Sequence, residues 1–149
     1  LSAHAVTRHR FPHRVLAGHR AVHLSDLHLD RYHPRHDRIA ATIEELAPNW
    51  IFVTGDLLKV PEGMPHLFQF LSRLRAVAPV YVTLGNHDHY SGVPVPTFRK
   101  WAERHHITLL VNESTVLQAA GGEDPVYWLR KLVFRSAWLD HRIKSRDRW

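Results

Sequence analysis

The feature that most constrains this chain is a rhythm. Short apolar runs alternate with helix-spaced stretches, and three of the runs end in a polar cluster. Ala21-Val22-His23-Leu24 leads into Ser25-Asp26-Leu27-His28. Trp50 to Thr54 leads into Gly55-Asp56, and Val80 to Leu84 leads into Gly85-Asn86-His87-Asp88. Between the first two runs, Ile39, Ile43, Leu46 and Ala47 recur at helical spacing over Asp37 to Ala47, and Pro48 stops them. Leu67, Phe70, Leu71, Leu74 and Val77 form a second stripe before Pro79. Phe98, Trp101, Ala102 and His105 predict a third helix, and Ile107 to Val111 a fourth strand. Residues 90–96, with Gly92, Pro94 and Pro96, read as a loop. Strands alternating with helices predict crossover connections and a largely parallel α/β sheet. The strands are continuous apolar runs, which predicts that both sheet faces are covered.

Parallel strands place all three clusters on one edge, where ligands bind in open α/β sheets. That edge then gathers three carboxylates (Asp26, Asp56, Asp88), two imidazoles (His28, His87) and one amide (Asn86). Crowded carboxylates do not all ionise cheaply unless something positive sits between them. Imidazole, carboxylate and amide oxygen together suit borderline divalent ions such as Mn, Fe, Co or Zn. In Asp26-Leu27-His28 the one-residue spacing lets both side chains reach one ion from a bending strand end. Gly55 and Gly85 permit the sharp exits that aim Asp56 and Asn86 into a cleft. Each cluster alone has a plainer reading as an exposed turn or helix cap. The joint pattern, with 30 residues from 26 to 56 and again from 56 to 86, is much more specific.

Composition removes other classes of chemistry. With no cysteine among 149 residues, a disulfide scaffold, a thiolate zinc site and a thiol nucleophile are all excluded. No apolar run is long enough to span a bilayer, and residues 1–20 lack the apolar stretch of a secretory leader. The location expected from this is the cytoplasm or the cytoplasmic face of a membrane. The formal charge of +6 suggests an acidic partner, but its position weakens that reading. Residues 1–129 carry 13 basic and 12 acidic side chains, whereas residues 130–149 carry 7 and 2. A near-neutral body argues against a broad nucleic-acid face.

In motif order and texture the chain resembles the calcineurin-like metallophosphoesterase superfamily. Ser25-Asp26-Leu27-His28-Leu29, Thr54-Gly55-Asp56 and Leu84-Gly85-Asn86-His87-Asp88 match its first three motifs over residues 20 to 120. Gly-Asn-His-Asp-His-Tyr and Leu-Val-Asn-Glu-Ser look most like its membrane-associated bacterial branch, which includes enzymes acting on lipid precursors such as UDP-diacylglucosamine. The resemblance implies a four-layer α/β/β/α sandwich and a pair of divalent ions (Mn, Fe or Zn) that hydrolyse phosphoester bonds. It implies that Asp26 and His28 bind the first ion, Asp56 bridges both, and Asn86 binds the second through its amide oxygen. His87 would contact the phosphate and protonate the leaving oxygen. Asp88 would orient His87 and raise its basicity.

The family's later lone histidine and its Gly-His-x-His motif are absent, since after His106 only His141 remains. The resemblance therefore implies the first βαβαβ half of the sandwich, a second sheet largely missing, and incomplete metal shells with weak or single-ion binding. A sheet face left uncovered would be a surface for self-association. The domain expected is 20–129, preceded by an irregular basic arm over 1–19. The basic tail over 130–149 is read as a membrane-surface or nucleic-acid segment, as a solvated helix or, the favoured reading, as frameshift-derived sequence. The substrate expected is a phosphoester, lipid-linked or nucleotide-linked, with peripheral membrane association. Rival readings are an inactive single-ion remnant and a binder of nucleic acid or anionic membrane acting through the tail. His89 is a candidate substrate contact, His33 and His36 flank Pro34 beside the first cluster, and His105-His106 read as a helix cap.

Overall fold

A computed structural model describes residues 5–10, 12, 18–115 and 117 of the chain. Within them, strands β1 (Ala21–Ser25), β2 (Trp50–Thr54), β3 (Val80–Thr83) and β4 (Thr108–Leu110) form one sheet in sequential order, every pair parallel. Helices α1 (Pro34–Leu46), α2 (Met64–Arg75), α3 (Asn86–Tyr90) and α4 (Val95–Arg104) alternate with them, and a 3-10 turn at Pro61–Gly63 leads into α2. This α/β alternation is the one expected, consistent with a partial phosphoesterase sandwich. The end of the expected domain, over 118–129, and the tail over 130–149 lie outside the described residues.

Each helix starts from a local signal. α1 opens three residues before Asp37 because Pro34 fills its first position, where a missing N–H costs nothing. His33 caps it: the His33 ring accepts from the Arg35 N–H at 3.3 Å, and the His36 ring accepts from the His33 N–H at 2.9 Å. Ala47, at φ 44°, ends the helix in left-handed backbone. The expected loop over 90–96 begins later than predicted, because residues 86–90 form α3.

Period-two alternation sorts the strand side chains. Ile51, Val53, Val80, Val82 and Leu109 join one core with the helices, centred on the fully buried Phe70, Leu71 and Phe98. The other face holds a smaller cluster of Trp50, Tyr81 and Leu117, with Phe52 packed against it. Of the two faces expected to be covered, the helices of the described residues cover one, and the other carries this smaller cluster. Right-handed crossovers between strands in sequential order put every helix on the same side. On the opposite face, the ring of His19 stacks on Trp50 with centroids 5.1 Å apart, and His23 Nε2 pairs with Thr54 Oγ1 at 2.6 Å. His19, at the end of the expected arm, is exposed and stacks one ring face on Trp50.

Candidate metal centre

The first two polar clusters are turns built against each other. Past the ends of β1 and β2 the two segments stay in parallel register. Asp26 N–H donates to Gly55 O at 3.2 Å, His28 N–H to Asp56 O at 2.9 Å, and Leu29 N–H to Leu57 O at 2.8 Å. Buried Leu27, Leu29, Leu57 and Leu58 anchor both turns, so the intervening Asp26, His28 and Asp56 face outward. Asp26 (φ 55°), His28 (φ 42°), Gly55 (φ 71°) and Asp56 (φ 55°) all lie in the left-handed region. Non-glycine residues there cost about 1–2 kcal/mol each, a strain that clusters at functional sites and persists only where the surroundings fix it.

The third cluster locks onto the second. Gly85 is extended, so the sharp exit expected of it is not its role. It allows close approach instead: a Cβ there would collide with the Asp56 carboxylate and lie 2.8 Å from Gly55 Cα. Asp56 Oδ1 accepts the His87 N–H at 3.1 Å. Asp88 is fully buried, and its carboxylate accepts three backbone N–H groups: Leu57 at 2.8 Å, Leu58 at 2.9 Å and Gly85 at 2.8 Å. These three bonds hold the Asp88 carboxylate to the turn after β2 and to Gly85. Neighbouring side chains on a helix diverge by about 100°, so His87 faces the cleft while Asp88 turns under it. Burial pushes the Asp88 carboxyl up, the three backbone N–H groups pull it down, and the Asp56 charge adds to the rise.

One atom from each of His28, Asp56 and His87 falls within 4.8 Å of the others. His28 Nε2 is 4.0 Å from Asp56 Oδ2, and the His28 and His87 rings meet edge-on with centroids 4.8 Å apart. With ligand bonds of about 2.0–2.2 Å, donor atoms in a tetrahedral shell sit about 3.3–3.6 Å apart. The His28–Asp56 pair would have to close by about half an ångström to hold one ion, and His87 by up to about an ångström more than that. The donor set of two imidazoles and a carboxylate suits Mn, Fe or Zn. Asp26 lies on the same edge outside this tight group, exposed, with one carboxylate oxygen taken by the Ser25 hydroxyl. Asn86 is exposed at the start of α3. His89 is half-buried on α3 and does not line the cleft beside the group.

That cleft encloses about 500 Å³. His28 and His87 line it together with His33, Arg31, Arg35, Lys59 and Asp30. The sequence does not single out these three cations: Arg31 and Lys59 sit in irregular loops and Arg35 on the exposed first turn of α1, where spacing carries no signal. At Asp30, burial favours the neutral acid, but its own N–H, that of Arg31 and the Arg31 and Lys59 charges outweigh it, leaving the carboxyl below its ordinary value. His36 behind the cleft wall is buried, and burial followed by the Arg35 and His33 charges lowers its pKa below 6.5. His105 does cap α4; its ring also pairs with the Ser72 hydroxyl at 2.8 Å and stacks on Trp101. No helix among the described residues is long and apolar enough to cross a membrane.

Two curated proteins of Bacillus subtilis (strain 168) are similar to this chain. It is 27% identical over 105 residues to the uncharacterized metallophosphoesterase YkoQ, covering 68% of this chain and 39% of that protein. It is 28% identical over 124 residues to the uncharacterized metallophosphoesterase YkuE, covering 80% of this chain and 43% of that protein. The chain thus spans about two-fifths of the length of these relatives. The family model for the calcineurin-like phosphoesterases matches residues 19–149, the whole of the described sheet and its carboxyl edge included, and the chain belongs to that family.

Proposed function

We propose that the carboxyl edge of the sheet is a divalent-metal centre for hydrolysis of phosphoester bonds: monoesters, diesters or pyrophosphates. The observation that carries this reading is the convergence of His28, Asp56 and His87 on strained turns at the strand ends. A bound ion would polarise a phosphoryl oxygen and lower the pKa of an attacking water. Asp26, His28 and Asp56 would hold a first ion, and Asp56 with Asn86 a second. His87, exposed at the mouth of the cleft, would hold the phosphate and deliver a proton to the leaving oxygen. Asp88 serves by fixing the turn that carries Asp56, so in this reading its role is positional.

The tight grouping of three donor atoms among the described residues favours a second reading, in which the chain holds a single ion. Manganese, a phosphodiester specificity, a lipid- or nucleotide-linked substrate and a place at the cytoplasmic membrane face are parts of this proposal. So is self-association through the sheet face that bears exposed His23.

The test is Mn²⁺-dependent hydrolysis of bis-p-nitrophenyl phosphate by the purified full chain, with calorimetric titration of Mn²⁺ alongside. Asp56→Ala is expected to abolish both hydrolysis and tight Mn²⁺ binding while the far-ultraviolet dichroism stays unchanged. Hydrolysis that survives this substitution at full rate would overturn the metal-centre reading. A stoichiometry of one ion favours the single-ion reading, and two favours the paired centre.

A further inference from the structure

The cleft beside the candidate centre carries more positive charge than one phosphate requires. Arg31, Arg35 and Lys59 face a single carboxylate there, Asp30, so two positive charges are in excess even with every imidazole neutral. Among the described residues, the ion pairs involve His28, Arg73 and Arg99 and none of these three cations. All three residues are exposed, and Asp30, which feels the Arg31 and Lys59 charges, is the single carboxylate lining the cleft with them.

One of them is also held by its charged group: the Arg35 guanidinium reaches the Leu27 carbonyl with Nη2 at 3.5 Å and His36 Nε2 with Nε at 3.3 Å, beside the turn that carries His28. Lys59 starts from the same pair of turns, its backbone N–H donating to Leu29 O at 3.1 Å, and its ammonium reaches the cleft on a flexible stem. Guanidinium groups match the planar, paired oxygens of phosphoryl and carboxylate groups, and a lysine adds a point charge. A volume of about 500 Å³ falls in the range of small-molecule sites and leaves room beside a phosphate at the centre.

We propose that Arg31, Lys59 and Arg35 form a subsite for a second anionic group of the substrate, so that the centre selects phosphoesters bearing another phosphoryl or carboxylate group near the scissile phosphorus. The proposal rests on the metal-centre reading for the first phosphate. These residues touch the non-reacting part of the substrate and set specificity.

A matched series of probes tests it: methylphosphonate, methylenediphosphonate and phosphonoacetate. Each is titrated calorimetrically into the full chain with free Mn²⁺ clamped by a metal buffer. At least one of the two-headed probes is expected to bind about ten-fold or more tightly than methylphosphonate, as an added charge-assisted hydrogen bond would give. Tighter diphosphonate assigns the second group as phosphoryl, and tighter phosphonoacetate assigns it as carboxylate. The double variant Arg31→Ala/Lys59→Ala should lose the preference and keep its methylphosphonate affinity within about two-fold. Both side chains are exposed, and an unchanged melting temperature confirms folding. Equal affinity for all three probes, or a preference that survives the double variant, overturns the subsite. Asp56→Ala separates the two ideas: methylphosphonate binding with the same Mn²⁺ dependence in that variant defeats the metal-centre reading instead.

Discussion

Within a few residues β2 passes from one kind of structure to another. Ile51 and Val53 are fully buried on regular extended backbone, packed under α1 and α2. Gly55 and Asp56 leave the same strand in left-handed conformation, with the Asp56 side chain only partly exposed and grouped with two imidazoles. The helix-covered side gains from burial and is almost wholly apolar, with His36 its buried polar side chain. The carboxyl edge holds strained backbone and crowded polar atoms, secured from below by leucines and by Asp88. Stability and reactivity are therefore drawn from different ends of the same strands, and substitutions should separate them.

The largest effect is expected on the helix side. Phe70→Ala removes a fully buried ring and should cost about 3–5 kcal/mol in urea unfolding. Mn²⁺ affinity, measured well below the melting temperature, should hold; a parallel fall would mean that the two regions are not separable. Gly85→Ala reverses the balance. It should cost about 1–3 kcal/mol through overpacking, yet displace the Asp56 carboxylate and weaken Mn²⁺ binding at least about ten-fold. Unchanged affinity would show that the edge yields more than its geometry suggests.

Asp26→Gly has the opposite sign in stability. Glycine removes left-handed strain at φ 55°, so the protein should gain up to about 1 kcal/mol while metal affinity falls. A loss of stability would show that the turn is held by the Asp26 side chain. The smallest effect concerns His36, which lies where the two regions meet. Its folded pKa is below 6.5, so the unfolded chain binds more protons in the window beneath that value. Its contribution is complete above pH 6.5 and is lost as pH falls through the folded value. His36→Gln should flatten this part of the stability–pH profile, read by denaturation at pH 5 to 7.

The strands and the three polar clusters were legible because burial imposes a period and motifs impose a spacing. β2 matches its expected span from Trp50 to Thr54, and β3 falls one residue short of Leu84. The single-sided helix layer was not legible. Trp50, Phe52 and Tyr81 are apolar on the second face as well, and apolar content alone does not say what covers it. α3 was hidden because its five residues, Asn86 to Tyr90, carry no apolar stripe; its start is set by the Asp88 carboxylate on Gly85 N–H. At the site, Asp26, His28, Asp56 and His87 were named from motif and spacing. The direction of Asp88 and the cationic wall of Arg31, Arg35 and Lys59 were not, since both depend on how loops fold over one another.

The bonds from Asp88 to Leu57 and Leu58 also impose an order on assembly. β1, α1 and β2 form a crossover unit that leaves the ribosome before β3 does. The turn after β2 then still lacks acceptors for two buried N–H groups, and it finds them only when residue 88 arrives behind β3. The reactive edge is thus completed late, by the same residue that seals the hydrophobic layer beneath it. A chain emerging from synthesis would carry no competent metal site until its third strand had docked, which would keep a half-built cluster of imidazoles and carboxylates from capturing ions in a misfolded arrangement.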